Sequence, residues 1–308
     1  MNLGKEQNFV SAVIYVRNNS STLGEFLKHI YSKLDELFNQ FEIVCVNDAS
    51  KDDSEAVIKE CAKAFHCAVT IVNMGYVQGV ELAMNAGCDM AIGDFVFEFD
   101  SANQTWPENM MEQLYRKMQE GYDIVSACPK GKMKFSSKLF YSVFNKFSNI
   151  KEQLRTEAFR LTSRRAINRA SSMNQAQMYR KAVNANLALA QTYVEFEPTG
   201  ENRLDKQSAK ERTSLAVDSL ILFTDIGYKI AFVMSIVMLA FAAIVGIYTV
   251  IIYATGHPVE GWTPIMIFLA IGFFVLFAIL TFVIKYLSLI LNLNFRRQRY
   301  VVENTERI

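Results

Sequence analysis

The residues best suited to chemistry lie between Phe95 and Glu108, where the apolar run Phe95-Val96-Phe97-Glu98-Phe99 ends abruptly in one acid, Asp100. A polar loop follows, and Trp106-Pro107-Glu108 opens a helix. In an open α/β sheet ligands bind outside the carboxyl ends of the strands, so a carboxylate there is placed for chemistry. An aspartate that merely caps a turn would leave the same trace in this stretch. A second short apolar run, Phe41–Val46, ends in Asn47-Asp48-Ala49-Ser50. Two runs that end in carboxylates raise the case for a site at the carboxyl edge of a sheet. Basic residues gather further on. Lys130, Lys132, Lys134 and Lys138 precede an amphipathic run (Leu139, Phe140, Val143, Phe144, Phe147), and Arg155, Arg160, Arg164, Arg165 and Arg169 come after it. Such a run is either a solvated basic face or a surface facing phosphates, of a substrate or of anionic lipid headgroups, and nearby apolar spans favour the second. Cys61, His66 and Cys67 stand close together, but no second ligand pair with zinc spacing accompanies them.

The pattern of the chain supplies elements to position these groups. Phe9–Val16 alternates like a strand. Thr22-Leu23-Gly24-Glu25 fits a capping box, and Leu23, Phe26, Leu27, Ile30, Leu34 and Leu37 repeat at helical spacing. Phe41–Val46 has the mark of a strand buried on both faces. A helix carrying Ala56, Val57, Ile58 and Ala62 follows it, then a strand over Ala68–Val72. The Gly75–Gly79 turn leads into a helix that ends near Ala91, followed by Phe95–Phe99, a helix over Pro107–Glu120 and a strand over Asp123–Cys128. Strands alternating with helices of this length predict βαβ units and a mostly parallel sheet flanked by helices. The pattern changes from Lys130 to Arg212.

Two uncharged apolar runs, Ile230–Ala254 and Ile265–Ile284, each reach the roughly 20 residues that cross a bilayer. Lys229 precedes the first, Arg296, Arg297 and Arg299 follow the second, and the loop Thr255–Thr263 holds no Lys or Arg. By the positive-inside rule both termini are cytoplasmic. Trp262 and Tyr253 then belong at the outer interface, and Lys285 snorkels towards the inner one. Met1–Asn8 is polar and Phe9–Val16 is short and strand-like, so no signal peptide is expected there. Thr213–Tyr228 suits an interfacial helix. The expected organisation is a cytoplasmic domain over 1–212, an interfacial helix over 213–229, a two-helix membrane anchor over 230–291 (spans about 230–254 and 264–285) and a cytoplasmic tail over 292–308. A net charge of +1 gives no reason to expect nucleic acid as a partner. Five cysteines, an odd number in a reducing compartment, argue against disulfides. Paired spans leave room for a homo-oligomer.

Several of these pieces together resemble one family. Asn47-Asp48-Ala49-Ser50, Gly87 with Ala91-Ile92-Gly93-Asp94, Asp100 with Gln104 and Pro107-Glu108, and Phe159-Arg160-Leu161 resemble the family-2 glycosyltransferases of GT-A fold. The nearest branch is that of polyprenyl-phosphate hexose transferases, including enzymes like dolichyl-phosphate mannose synthase, many with two carboxy-terminal membrane spans. The tail Arg296–Glu303 resembles the segment after the second span in that branch. The resemblance covers nearly the whole chain. It implies transfer of a sugar from a nucleotide-sugar to a polyprenyl-phosphate or lipid-linked glycan acceptor at the cytoplasmic face, serving cell-envelope polysaccharide or glycan synthesis. It also implies Mg²⁺ or Mn²⁺ on the leaving diphosphate, held by Asp100. Asn47, Asp48, Asp100 and Gln104 are the implied nucleotide-sugar residues. Asp100 and Arg160 are the implied catalytic pair, with Arg160, Arg164 and Arg165 for the acceptor phosphate.

The departures from the family pattern define a second reading. The Asp-x-Asp metal motif reads Asp100-Ser101-Ala102, and Gly-Asp-Phe-Arg-Leu reads Glu157-Ala158-Phe159-Arg160-Leu161. The first acid of Asp-Asp-Gly-Ser is Asn47, and Pro-x-Tyr-Asn-Glu becomes Tyr15-Val16-Arg17-Asn18-Asn19. Glu98, two residues before Asp100 on the same strand face, is one substitute for the lost ligand. Glu157 replaces the acceptor-side acid only if the local backbone turns differently. The alternative to an active transferase is therefore a catalytically silent GT-A module serving as scaffold or partner of an active enzyme.

Overall fold

The strand at the centre of the sheet is β1 (Glu6–Val16), where Val10, Ala12, Val13, Ile14 and Val16 are fully buried although they point to both faces. A strand covered on both sides is apolar nearly throughout, and this one is. The computed structural model describes residues 5–130, 155–172, 180–199, 262–294 and 300–308, with Ser142 and scattered positions between 233 and 256. In chain order β1 is followed by α1 (Ser20–Leu37), β2 (Phe38–Asn47), α2 (Ser54–Ala62), β3 (Ala68–Met74), α3 (Val80–Met90), β4 (Phe95–Phe99) and α4 (Met110–Gln119). Then come β5 (Ile124–Pro129), β6 (Phe159–Ser163), α5 (Arg164–Ser172), α6 (Arg180–Asn186), β7 (Gln191–Phe196), α7 (Trp262–Asn294) and β8 (Val302–Arg307).

The eight strands form one mixed sheet in the order β7-β5-β6-β4-β1-β2-β3-β8. β1 pairs in parallel with β2 and β4, and β2 with β3, so four neighbouring strands end at a common carboxyl edge. β6 runs antiparallel between β4 and β5, and β8 runs antiparallel to β3. One face packs Ile14, Phe97, Phe99 and Phe159 against Leu23, Leu27 and Leu34 of α1 and Met111 and Leu114 of α4. The other packs Val13, Val44, Val46, Val72 and Val96 against Ala83, Met84 and Ala86 of α3.

Two glycines allow these layers to close. A Cβ on Gly87 would meet Val13 Cγ1 at 2.4 Å and Val46 Cγ2 at 2.6 Å, so α3 lies directly on the valines. A Cβ on Gly93 would meet the Ser11 backbone nitrogen at 2.6 Å and the Val10 carbonyl carbon at 2.9 Å. Backbone cannot swing aside as a side chain does. Gly93→Ala is therefore expected to destabilise the fold by about 1–3 kcal/mol, the usual cost of overpacking, read as a lower urea midpoint with unchanged slope.

The expected strands and helices of the first 130 residues are all present, with ends shifted by a few residues. The capping box is not. α1 begins at Ser20, its N-cap residue Asn19 makes no side-chain cap, and the Ser20 N–H is instead donated to Asp52 Oδ2 at 2.9 Å. A carboxylate from the loop before α2 satisfies the helix start, which local spacing could not reveal.

Residues 217–295 form a unit separate from the sheet domain. Within it α7 is a continuous helix of 33 residues whose Phe268, Ile271, Phe273, Leu276, Phe282 and Leu287 are exposed. No helix of the described residues qualifies as a complete membrane span. The expected interfacial helix, the basic run Lys132–Lys138 with most of its amphipathic helix, part of the first span, and Arg296, Arg297 and Arg299 lie outside the described residues.

Candidate functional site

The carboxyl edge of β1, β2 and β3 is built around Asp48. Its carboxylate is fully buried and accepts hydrogen bonds from Tyr15 Oη (2.9 Å) and from the backbone N–H groups of Gln78 (2.7 Å) and Gly79 (2.9 Å). It thus ties β1 to the start of α3, and Gly79, at φ +85°, supplies the turn that aims both amides at it. Burial, and then the Asp48 charge, push the Tyr15 hydroxyl pKa far up, so it stays a donor. Asn47 Oδ1 accepts from the Ser50 N–H at 3.1 Å, and its Nδ2 donates to Asn73 Oδ1 at 2.8 Å. Asn73 Nδ2 in turn donates to Asn304 Oδ1 at 3.0 Å, so a row of amides crosses β2, β3 and β8. The tail reaches the α3 turn as well: Gln78 Nε2 donates to the Val301 carbonyl at 2.6 Å and Gln78 Oε1 accepts from the Val301 N–H at 2.9 Å.

At the end of β4 the arrangement is ionic. Glu98 and Asp100 follow the alternation of β4 to the same face, and Arg160 of β6 stands in register with Glu98. Arg180, the first residue of α6, lies among three carboxylates. Its Nε donates to Glu81 Oε2 at 3.2 Å, its Nη1 to Glu98 and its Nη2 to Asp100. Arg160 Nη2 lies 3.4 Å from Asp100 Oδ2 and 3.0 Å from Glu157 Oε1. Lys181 Nζ stands 3.6 Å from Glu157, which also accepts from Ser126 Oγ at 2.5 Å. Arg160 is only 1% exposed and Arg180 5%, whereas the Asp100 side chain is 22% exposed. Burial alone would raise the Asp100 pKa, but Arg180, then Arg160 and Lys181, outweigh it and hold the carboxyl well below its ordinary range. For Glu81 burial prevails over Arg180 and its pKa rises.

The structure thus brings Asp100 and Arg160 together, with Glu98 beside them and engaged by Arg180. It turns Glu157 inward, onto Arg160 and Ser126, while Ala158 packs against the core. Arg164 and Arg165 do not join this cluster. Because β6 runs antiparallel to β4, Ser163 pairs with Phe95 at the amino end of β4, five residues before Asp100, or about 16 Å along the strand. There Arg164 donates to the Gly93 carbonyl at 2.8 and 3.0 Å, and Arg165 pairs with Asp123. Gln104 is exposed and donates weakly to the Trp106 carbonyl at 3.4 Å.

Asp100, the implied metal ligand, therefore has a guanidinium on each oxygen, and Ala102 is buried with no oxygen to offer. Arg180, Lys181 and Glu81 were not singled out in the sequence. The one signal was indirect: Glu98 sits inside an apolar strand run, and a buried carboxylate requires a cation.

Comparison with known proteins bears on this geometry. A family model described as glycosyl transferase family 2 matches residues 11–187. An uncharacterized glycosyltransferase of Synechocystis sp. is 28% identical over 270 residues, covering 84% of this chain and 83% of that protein. An undecaprenyl-phosphate 4-deoxy-4-formamido-L-arabinose transferase of Edwardsiella ictaluri is 35% identical over 121 residues, 39% of this chain and 37% of that one. The crystal structure of mannosyl-3-phosphoglycerate synthase from Rubrobacter xylanophilus superposes with a TM-score of 0.52 at 16% identity, over 69% of this chain and 72% of that chain, a likeness of fold.

Proposed function

The chain belongs to glycosyl transferase family 2, and from that premise we propose that it moves a sugar from a nucleotide-sugar to a polyprenyl-phosphate or lipid-linked glycan acceptor at the cytoplasmic face of a membrane. Cell-envelope polysaccharide or glycan synthesis is the process such a transfer serves. The observation that carries this reading is the cluster at the end of β4, where Asp100, partly exposed at the carboxyl edge, is backed by two buried arginines. In this reading the nucleoside lies over the Asn47–Ser50 turn and the diphosphate beside Asp100. Arg160, buried beneath Asp100 and Glu157, positions these carboxylates. The acceptor class is supported by the undecaprenyl-phosphate in the name of the Edwardsiella relative, whose match spans about two fifths of this chain.

Membrane attachment is supported by α7. At 1.5 Å per residue its 33 residues extend about 50 Å, more than the roughly 30 Å of a bilayer's apolar core, and its large apolar side chains are exposed. Both termini are then cytoplasmic, as the charge flanks require. The silent-module reading is favoured by one observation, the loss of an oxygen ligand at Ala102.

The test uses the full chain, a panel of radiolabelled UDP-, GDP- and dTDP-sugars, and polyprenyl phosphate. Labelled lipid from at least one donor is expected. No label from any donor, with no nucleotide binding by calorimetry, would leave the silent module. Given turnover, Asp100→Ala is expected to lower the rate by about 100-fold or more, because its carboxylate holds the Arg180 and Arg160 guanidinium groups whose charge faces the departing diphosphate in this reading. Activity within about threefold of the native chain would remove Asp100 from the mechanism.

A further inference from the structure

The side chains around Asp100 do not suit a divalent cation. Mg²⁺ demands near-octahedral oxygen ligands, and Mn²⁺ likewise favours carboxylate, carbonyl and water oxygens. The space between Glu98 and Asp100, the two carboxylates that the end of β4 can offer, is taken by the Arg180 guanidinium, with Nη1 on one and Nη2 on the other. Ala102 supplies nothing, and among the described residues no group of three or more His, Cys, Asp or Glu side chains could hold an ion. We propose that Arg180, backed by Arg160, takes the place of the divalent cation and binds the donor diphosphate, so that nucleotide-sugar binding by this chain is independent of Mg²⁺ and Mn²⁺. This inference rests on the transferase reading above.

The donor count permits it. Arg180 directs three guanidinium N–H groups to Glu81, Glu98 and Asp100, and a guanidinium has five, so two are uncommitted. Its planar fork matches phosphate geometry, and its charge is permanent. Buried Arg160 Nε has no hydrogen-bond acceptor, its ion-pair partner Glu98 Oε2 being 3.7 Å away. The carboxylates do more than neutralise these cations: they fix the orientation of Arg180, which begins the short helix α6 and would otherwise be free to turn away. In the transfer, the acceptor oxygen bonds the anomeric carbon as the bond from that carbon to the diphosphate oxygen breaks. The electron pair leaves on the nucleoside diphosphate, where fixed guanidinium charge stabilises it without reorganisation.

The experiment is calorimetric titration of UDP, GDP and dTDP into the detergent-solubilised full chain, once with EDTA and once with Mn²⁺, alongside the Mn²⁺ electron paramagnetic resonance signal with no nucleotide present. The expected result is one nucleotide whose affinity agrees within about twofold in the two buffers, and a Mn²⁺ signal undiminished by the protein. Arg180→Gln, checked for folding by circular dichroism, is expected to weaken binding by about tenfold or more in both buffers, and Arg180→Lys to weaken it less. Tenfold tighter binding in Mn²⁺, stoichiometric loss of the free Mn²⁺ signal, or native affinity in folded Arg180→Gln would each overturn the inference while leaving the transferase intact. No nucleotide binding in either buffer removes the transferase reading, and this inference with it.

Discussion

Arg180→Ala is expected to cost the fold about 3–5 kcal/mol at neutral pH, the usual consequence of removing one partner from a buried ionic network. Glu81 and Glu98 are almost wholly buried, and Asp100 is mostly so. Truncation leaves all three without their shared cation, and Arg160 already divides itself among Glu98, Asp100 and Glu157. An ammonium cannot bridge three carboxylates as a planar fork does, so Arg180→Lys should recover only part of the loss. The pH dependence supplies the stricter test. In the native chain the Asp100 pKa is depressed, so its contribution is fully present above the unfolded value of about 3.9 and is lost as pH falls through the lower folded value. In Arg180→Ala burial acts on Glu81 and Asp100 without its main opponent, so the Glu81 pKa rises further and that of Asp100 moves up from its depressed value. The folded variant then binds more protons than the unfolded chain, so its stability should increase as pH falls from 7 to 5, and its deficit against the native chain should shrink. Urea midpoints at the two pH values measure this. A deficit below about 1 kcal/mol, or one equal at both pH values, would contradict the buried network.

That network marks where sequence reading stops. The parallel core was legible because β1, β2, β3 and β4 are apolar runs punctuated by turn residues, a signal contained within each segment. β7 and β8 were not legible, since short polar-edged strands acquire their identity only from a distant neighbour: β8 pairs with β3 across more than 200 positions of sequence. Asp100 could be found because it ends a strand. Arg180 could not, because nothing in its own surroundings distinguishes it from an exposed arginine, and its role exists only once α3, β4 and β6 bring Glu81, Glu98 and Arg160 together. The same holds for Arg164 and Arg165. Sequence proximity to Arg160 suggested a shared duty, and the reversed direction of β6 separates them. Asn47 illustrates a different limit. Its amide suits a nucleobase edge, yet in the fold both polar atoms are engaged, by Ser50 and Asn73.

The second large effect is expected at Asp48. Asp48→Ala should destabilise the chain by about 3–5 kcal/mol: hydrogen bonds to a charged group are worth about 1.5–3 kcal/mol each, and the loss is not additive across three donors. The variant leaves Tyr15 Oη and the Gln78 and Gly79 N–H groups, all partly buried, without the fully buried acceptor they share. Tyr15→Phe removes one donor and keeps the carboxylate, so it should cost only about 1–2 kcal/mol. The two variants also separate two roles for Asp48 in donor binding. If Asp48 acts by holding the start of α3, then Asp48→Ala should speed amide hydrogen exchange at Gln78 and Gly79 and weaken nucleotide binding together, while Tyr15→Phe leaves both nearly unchanged. If Asp48 instead touches the nucleoside, Asp48→Ala should weaken binding with the exchange rates intact. The geometry favours the first outcome, because both carboxylate oxygens are already engaged and Gln78 is clasped from its other side by Val301. Rapid exchange at these two amides in the native chain would contradict it.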